Sequence, residues 1–320
     1  MPSRALKFAV ESLAVRAVAL PARLLPRPAA LGLGAALGRL AWTVGVRRRL
    51  VLSNLGLAMP GTDLAERRRV GRTAAENLGR TMVEFLRFAG RDRRRVDELV
   101  SVEGLPALRE GLAEGRGAVL VTAHLGAWAL YVTALAAHGV DAALLVGAQH
   151  NPRVDRLILG IPGDAVRFIS KGSRATRRVL ECLREGRAVV MVADHYSSPE
   201  TVWAPFLGRS ASTLPLPGSV VAKLGTPLYL MAGVRREGGR HLLRLRRLEL
   251  PAAGEQDELR IAIATLCNRE LGGEILAAPD QYWWYHDRWK VRGVYRLGRK
   301  VLGCPPQTDR EEQPLPEERR

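Results

Sequence analysis

The sequence predicts an α/β protein, with a mainly parallel central sheet covered by helices and an apolar helical segment ahead of it. Three observations carry this reading. Short continuous apolar runs at 117–123 (GAVLVTA), 142–147 (AALLVG), 188–193 (AVVMVA) and 226–233 (TPLYLMAG) have the length and unbroken apolarity of strands buried on both faces. Between them lie stretches of helical period at 126–138, 174–185 and 214–224, and strands alternating with helices build parallel sheets. Before them, residues 5–45 are rich in Leu, Ala, Val and Gly.

Taken in order, the segment 5–45 is interrupted by Glu11, Arg16, Arg23, Arg27 and Arg39. Its longest uncharged run, 28–38, falls short of the ~20 apolar residues that a spanning helix needs. It also lacks the cleavage pattern of a secretory signal. With Pro21, Pro26 and Pro28 at the break, it reads as a basic interfacial anchor, the alternative being an ordinary core-packing helix. The cluster Arg47-Arg48-Arg49, Asn54 and Pro60 follow. A long helix is expected over 63–88, with Asp63 as its cap and Glu66 as capping-box partner. Beyond the strands and helices above, 166–170 is a further short strand and 241–250 another, reached through the turn Glu237-Gly238-Gly239. Residues 255–271 form the last helix, and 305–320 have the composition of a disordered tail. The expected division is a membrane-associating segment (1–45), an α/β domain (46–304) and the tail (305–320).

Lys and Arg exceed Asp and Glu by 49 to 32, a net charge of +17, which favours an anionic partner: nucleic acid, an acidic protein or an anionic membrane. An Arg-rich compositional bias produces the same figure. Aromatics are only 5% of the chain and cluster at 282–289, and no helix-turn-helix or RNA-binding motif is present, so nucleic acid is not expected. There is no GxxxxGK[ST], and the Gly-rich stretch 111–117 precedes a strand instead of following one, so no phosphate loop is expected either. Cys182, Cys267 and Cys304 lie far apart and fit a reducing compartment, the first two as buried fillers. His138, His150 and His241 have no ligand spacing, and neither metal nor cofactor is expected.

The candidate for chemistry is His124, at the carboxyl end of a buried strand and before a small-residue turn into a helix, where open α/β sheets bind ligands. A lone His is more often structural, but other segments strengthen the case. His124-Leu125-Gly126-Ala127-Trp128 resembles the His-(Phe/Leu)-Gly-Asn-Trp segment of the bacterial lipid A secondary acyltransferases and the related phosphatidylinositol mannoside acyltransferases. Residues 192–213 (VADHYSSPETVWAPFLGRSAST) resemble that family's Asp-(Gln/His), Val-x-x-Pro-Phe-Phe-Gly and Ser/Thr block, and 278–290 (APDQYWWYHDRWK) resemble its C-terminal aromatic block. Arg49, Asn54-Leu55 and Met59-Pro60 fall in order before these, so the resemblance runs over roughly residues 40–292.

The resemblance implies a glycerolipid-acyltransferase-like fold at the cytoplasmic face of the inner membrane. It implies acyl transfer from a thioester, on acyl carrier protein or CoA, to a hydroxyl or amine of a membrane glycolipid. His124 would take the acceptor's proton, and Gly126, Trp128, Arg167, Arg209, Thr213 and Gln281 would lie along the substrates. Several of these residues have an ordinary alternative role: Arg209 as a solvated surface Arg, Asp194-His195 as a strand-end turn, and Trp283 and Trp284 as sheet packing instead of an interfacial belt.

The sequence departs from the family at Ala129, where the family has the Asp or Glu that orients the His. An Arg of the family also has no counterpart in 159–163, although Arg156 and Arg167 are near. Three readings stay open. Another acid serves His124, with Asp194 first and Glu84 and Glu200 behind it. Or His124 works alone or with a backbone carbonyl. Or the chain no longer catalyses and holds lipid or scaffolds a lipid-synthesis or export complex.

Overall fold

In the computed structural model, the protein is described over residues 17–88, 92–147, 166–195, 201–252, 255–290 and 302–303. Seven strands form the main sheet: β1 (Val100–Glu103), β2 (Ala118–Thr122), β3 (Ala142–Val146), β4 (Arg167–Ser170), β5 (Ala188–Val192), β8 (Leu228–Arg235) and β9 (His241–Arg247), in the order β1-β9-β8-β2-β5-β3-β4. All neighbours are parallel except β8 and β9, which the turn at 237–239 joins as an antiparallel pair. The mainly parallel sheet agrees with the sequence reading, which made no assignment of strand order.

β2 is buried at every residue, as its apolar run requires. Successive side chains alternate faces. Val119 and Val121 meet one core, with Val179 and Leu183 of α6 (Ala175–Arg184), Val220 and Val221 of α7 (Leu216–Leu224) and Ile263 and Leu271 of α8 (Gln256–Ala277). Ala118 and Leu120 meet the other, with Leu108 of α4 (Leu105–Ala113) and Leu130, Ala134 and Leu135 of α5 (Trp128–Ala137). Helices thus cover both faces.

α1 (Arg27–Thr43) and α2 (Arg48–Ala58) lead into α3 (Leu64–Phe88). Asp63 Oδ1 accepts the Glu66 N–H at 2.7 Å, as expected of the cap. The Glu66 carboxylate, however, turns to the Arg69 guanidinium three residues on instead of closing a capping box. α1 lies against α3 where Gly34 and Gly79 let the backbones touch: a Cβ on Gly34 would stand 2.6 Å from the Gly79 carbonyl oxygen. No single described helix is long and apolar enough to cross a membrane, though α1 and α2, bent by 93°, pass the length and composition test together. Residues 1–16, the segment 157–163, Glu200 and the tail 305–320 lie outside the described residues.

The sequence reading omitted β1, α4 and a hairpin of β6 (Val202–Phe206) and β7 (Arg209–Thr213), to which β10 (Leu302–Gly303) adds in parallel. The hairpin turns on two residues at positive φ, Leu207 (50°) and Gly208 (79°). Two-residue turns of that handedness suit the strand twist, but a Leu in the first position hides the signal.

Candidate active site

Register brings the two principal residues together. In the pairing of β2 with β5, Thr122 stands opposite Val192, and the Ala193 N–H donates to the Thr122 carbonyl at 2.9 Å. His124 and Asp194 are each two residues beyond that pair, at the carboxyl ends of adjacent parallel strands. His124 Nδ1 lies 2.9 Å from Asp194 Oδ1, and the His124 backbone N–H donates to Asp194 Oδ2 at 3.1 Å.

Asp194 is fully buried. Burial alone would raise its carboxyl, but the neighbouring His124 and His195 and the two hydrogen bonds from His124 outweigh it and hold the group well below the usual carboxylate range. An ionised carboxylate only accepts, so the proton between them sits on His124 Nδ1, and in the neutral form of the imidazole Nε2 carries the lone pair. Tyr282, buried against Asp194, has its phenol pushed well above the ordinary range by burial first and by that carboxylate second.

Aromatic rings enclose the imidazole. Trp128 meets His124 edge-on with centroids 4.8 Å apart, and Trp283 does so at 5.5 Å. Phe85 supports Trp128 from behind. His195 stacks flat on His124, and His286 on the far face of His195.

The turn after His124 is held at nearly every polar backbone atom, which buried main chain requires. Residues 125 and 282 form an antiparallel bridge in which the Trp283 N–H donates to the His124 carbonyl and the Gly126 N–H to the Gln281 carbonyl, both at 3.0 Å. The Thr81 hydroxyl donates to the Gly126 carbonyl at 3.2 Å, and the Ala127 N–H to the Tyr131 hydroxyl at 3.0 Å. Gly126 has φ +57°, and a Cβ there would stand 2.4 Å from that same hydroxyl, so only glycine fits.

Behind the turn is a buried polar cluster. Tyr131 Oη lies 3.2 Å from His241 Nδ1, and His241 Nε2 lies 2.8 Å from Glu84 Oε1. Glu84, itself fully buried, also receives Arg27 of α1 and Arg235 at the end of β8. Burial opposes its charge, but His241 and Arg235 bring its carboxyl down to about 2.

The other sequence candidates divide. Gly126 and Trp128 adjoin His124. Ala129 is half-buried on α5 and packs against the core on that side of the sheet, so the nearest acid to His124 comes from Asp194, not from α5. Glu84, a second candidate acid, is committed to His241. Gln281 uses both ends of its amide on the backbone of Arg235, accepting its N–H at 2.7 Å and donating to its carbonyl at 3.0 Å. Thr213 is buried, and its hydroxyl accepts from Asn268 and Arg288 under the hairpin. Arg209 is exposed at the hairpin turn.

Arg167 is not brought to His124. It opens β4 at the opposite end of the sheet, exposed and 4.0 Å from Asp141, because it is the first residue of its strand whereas His124 follows its own. Trp284 is packing, with its indole N–H on the Pro279 carbonyl, whereas Trp283 faces the imidazole.

Sequence reasoning passed over His286, Tyr131 and the Glu84–His241 pair. His286 stands inside the aromatic block, where its spacing gave a signal. The others are brought in only by the sheet order.

His124, Asp194 and His195 place potential ligand atoms within 4.8 Å of one another. The two imidazoles, however, are stacked at 7°, so an ion in the plane of one lies well out of the plane of the other. The arrangement suits proton transfer better than metal ligation.

The sequence profile of a family described as bacterial lipid A biosynthesis acyltransferase matches residues 2–291. The chain is 25% identical over 276 residues to a lipid A biosynthesis lauroyltransferase of Escherichia coli (strain K12), covering 84% of this chain and 87% of that one. It is 25% identical over 275 residues to a lipid A biosynthesis palmitoleoyltransferase of the same organism, covering 84% and 88%. A lipid A biosynthesis acyltransferase of Shigella flexneri matches to the same extent.

Proposed function

The chain belongs to the bacterial lipid A biosynthesis acyltransferase family, and from that premise we propose that it moves a fatty acyl chain from a thioester to a hydroxyl or amine of a membrane glycolipid, with His124 as general base and Asp194 as its orienting acid. The single observation that carries the assignment is the 2.9 Å contact between His124 Nδ1 and Asp194 Oδ1, which supplies the acid missing at Ala129.

A hydroxyl is a weak nucleophile at neutral pH. His124 Nε2 accepts its proton as the oxygen attacks the thioester carbonyl, and Asp194 stabilises the imidazolium that forms. The tetrahedral intermediate collapses with cleavage of the C–S bond. The leaving thiolate takes the proton back from Nε2, and ester and free thiol are the products. The Gly126 and Ala127 N–H groups are already bonded within the protein, so the oxyanion draws its donors from elsewhere.

For the donor, a chain of net charge +17 attracts an acidic acyl carrier protein, with acyl-CoA as the other source. For location, we propose the cytoplasmic face of the inner membrane, peripheral or anchored through the N-terminal helices. Leu20, Leu24, Leu37, Leu40, Val44 and Val46 are exposed beside the basic Arg47-Arg48-Arg49, which supports an apolar face seated among lipids with cations at their headgroups. The helices from residue 17 to 45 then form the membrane-associating part and 46–304 the catalytic part.

The test is transfer of a radiolabelled acyl group from carrier protein or CoA into membrane lipid. His124→Ala should abolish it. Asp194→Asn should lower it by roughly a hundred- to ten-thousandfold while the protein stays folded. A folded wild-type chain that transfers nothing to any membrane extract refutes the enzyme, and the degenerate lipid-binding reading takes its place.

A further inference from the structure

Three of the six histidines in the chain meet in one column at this site. His124 and His195 have ring centroids 3.7 Å apart and planes at 7°; His195 and His286 are 4.0 Å apart at 16°. They come from three distant parts of the chain: the turn after β2, the turn after β5, and the C-terminal aromatic block. The Trp283 ring stands at 90° to the His195 ring, closing the column on one side. His195 Nε2 is buried without a hydrogen-bond partner among the described residues. What holds the ring among the described residues is its stacking on both faces.

We propose that His195 is a positioning residue for acyl transfer: its ring, held from behind by His286, fixes the plane of His124 and gives the imidazolium formed in the reaction an aromatic face to lie against. The inference rests on the proposed role of His124. Asp194 holds that ring by one atom, and with Trp128 and Trp283 meeting it edge-on the ring keeps some freedom to rock about its Cβ–Cγ bond. A flat partner at 3.7 Å removes this freedom and keeps Nε2 pointed one way.

The second effect is electrostatic. A cation against a neutral π-face is stabilised, whereas a cation against a second cation is not. The charged and titratable groups facing the column are Asp194, Lys171 beyond β4, and His286 itself, with Asp287 beside His286 and Arg288 and Tyr282 near Asp194. Burial first, and then the nearby His124, push the His195 imidazole down to about 2, while Asp194 only partly opposes them. His195 therefore stays neutral at every working pH.

Two variants of similar bulk separate the π-face from simple filling. His195→Leu keeps an apolar body without an aromatic face; His195→Phe keeps both the face and the absence of charge. In the leucine variant kcat should fall about tenfold, and the acid limb of kcat/KM should move down by roughly half a pH unit, since the imidazolium has lost its partner. The phenylalanine variant should recover most of the rate and return the limb towards its original place.

The titration of the His124 ring, followed by NMR in isotope-labelled full-length protein, reads the same shift without any acyl donor. Equal behaviour of the two folded variants, in rate and in ring titration, overturns the proposal. If the NMR shift appears but no protein transfers acyl groups, the stacking inference stands and the catalytic assignment falls. If transfer depends on His124 and neither replacement of His195 moves the limb, the reverse holds.

Discussion

Replacing Glu84 by glutamine changes almost no volume but removes the carboxylate that Arg27, Arg235 and His241 share, leaving Arg27 with Asp92. Glu84 is fully buried, and its contacts to Arg27 Nη2 and His241 Nε2 are each 2.8 Å. A glutamine oxygen serves one of these donors, while its amide N–H faces another donor. Breaking a buried ion pair and leaving its partners behind costs about 3–5 kcal/mol. A second route gives the same order. A carboxyl carried from 4.5 down to about 2 on folding corresponds to about 3 kcal/mol.

The sign follows from the direction of that shift. The folded value is the lower one, so the contribution is complete above about 4.5 and drains away as the pH falls from there towards 2. Urea unfolding at steps between pH 7 and pH 3 measures it. Glu84→Gln should lose about 3 kcal/mol at pH 7, and the gap to wild type should narrow as the pH falls through that window. Asp194 titrates in both proteins and cancels in the difference, whereas Asp92 shares Arg27 with Glu84 and is replaced by asparagine in both proteins for this comparison. A loss under about 1 kcal/mol at pH 7, or a gap that does not narrow in acid, would refute the account of this cluster as a charged anchor for the His124 turn.

Three further outcomes are expected. Ala129→Glu should not raise the rate of acyl transfer, because His124 Nδ1 is already bonded to Asp194; a large gain in the same radiolabel assay would mean that Asp194 does not serve the imidazole. Asn54→Ala strips both donors that hold the Trp284 and His286 carbonyls, at 2.8 Å each, and should destabilise the protein by about 2–3 kcal/mol in thermal or urea unfolding, with less than about 0.5 kcal/mol counting against that role. Replacing Leu20, Leu24, Leu37 and Leu40 together by serine should shift the protein from the membrane pellet to the supernatant without loss of fold, and unchanged sedimentation would remove the proposed lipid-facing surface.

The sheet was legible because its central strands are apolar at every position, a pattern that survives without knowledge of partners. His124 was legible for the same reason: it is the first polar side chain after the buried run of β2. Asp194 was visible as a strand-end acid, but its distance from His124 depends on β5 pairing with β2 even though β3 intervenes in sequence. Strand order of that kind leaves no local mark. The hairpin was missed because Pro205 and the Leu207-Gly208 turn do not resemble common strand signals. Arg167 lies far from His124 because it begins its strand while His124 follows its own, and the two ends of parallel strands lie at opposite ends of the sheet. Glu84 and His241, 157 positions apart, meet only through the fold.

The bridge between Leu125 and Tyr282 has a consequence for how the protein comes into being. The His124 turn is emitted early from the ribosome, yet the groups that fasten its backbone, the Gln281 carbonyl and the Trp283 N–H, are made after the last long helix. Asn54, made earlier still, waits for the carbonyls of Trp284 and His286. A nascent chain therefore holds a nearly finished sheet with a loose reaction centre, and arrival of the aromatic block completes it. The last-made block of the domain is thus the one that fixes the backbone of the His124 turn.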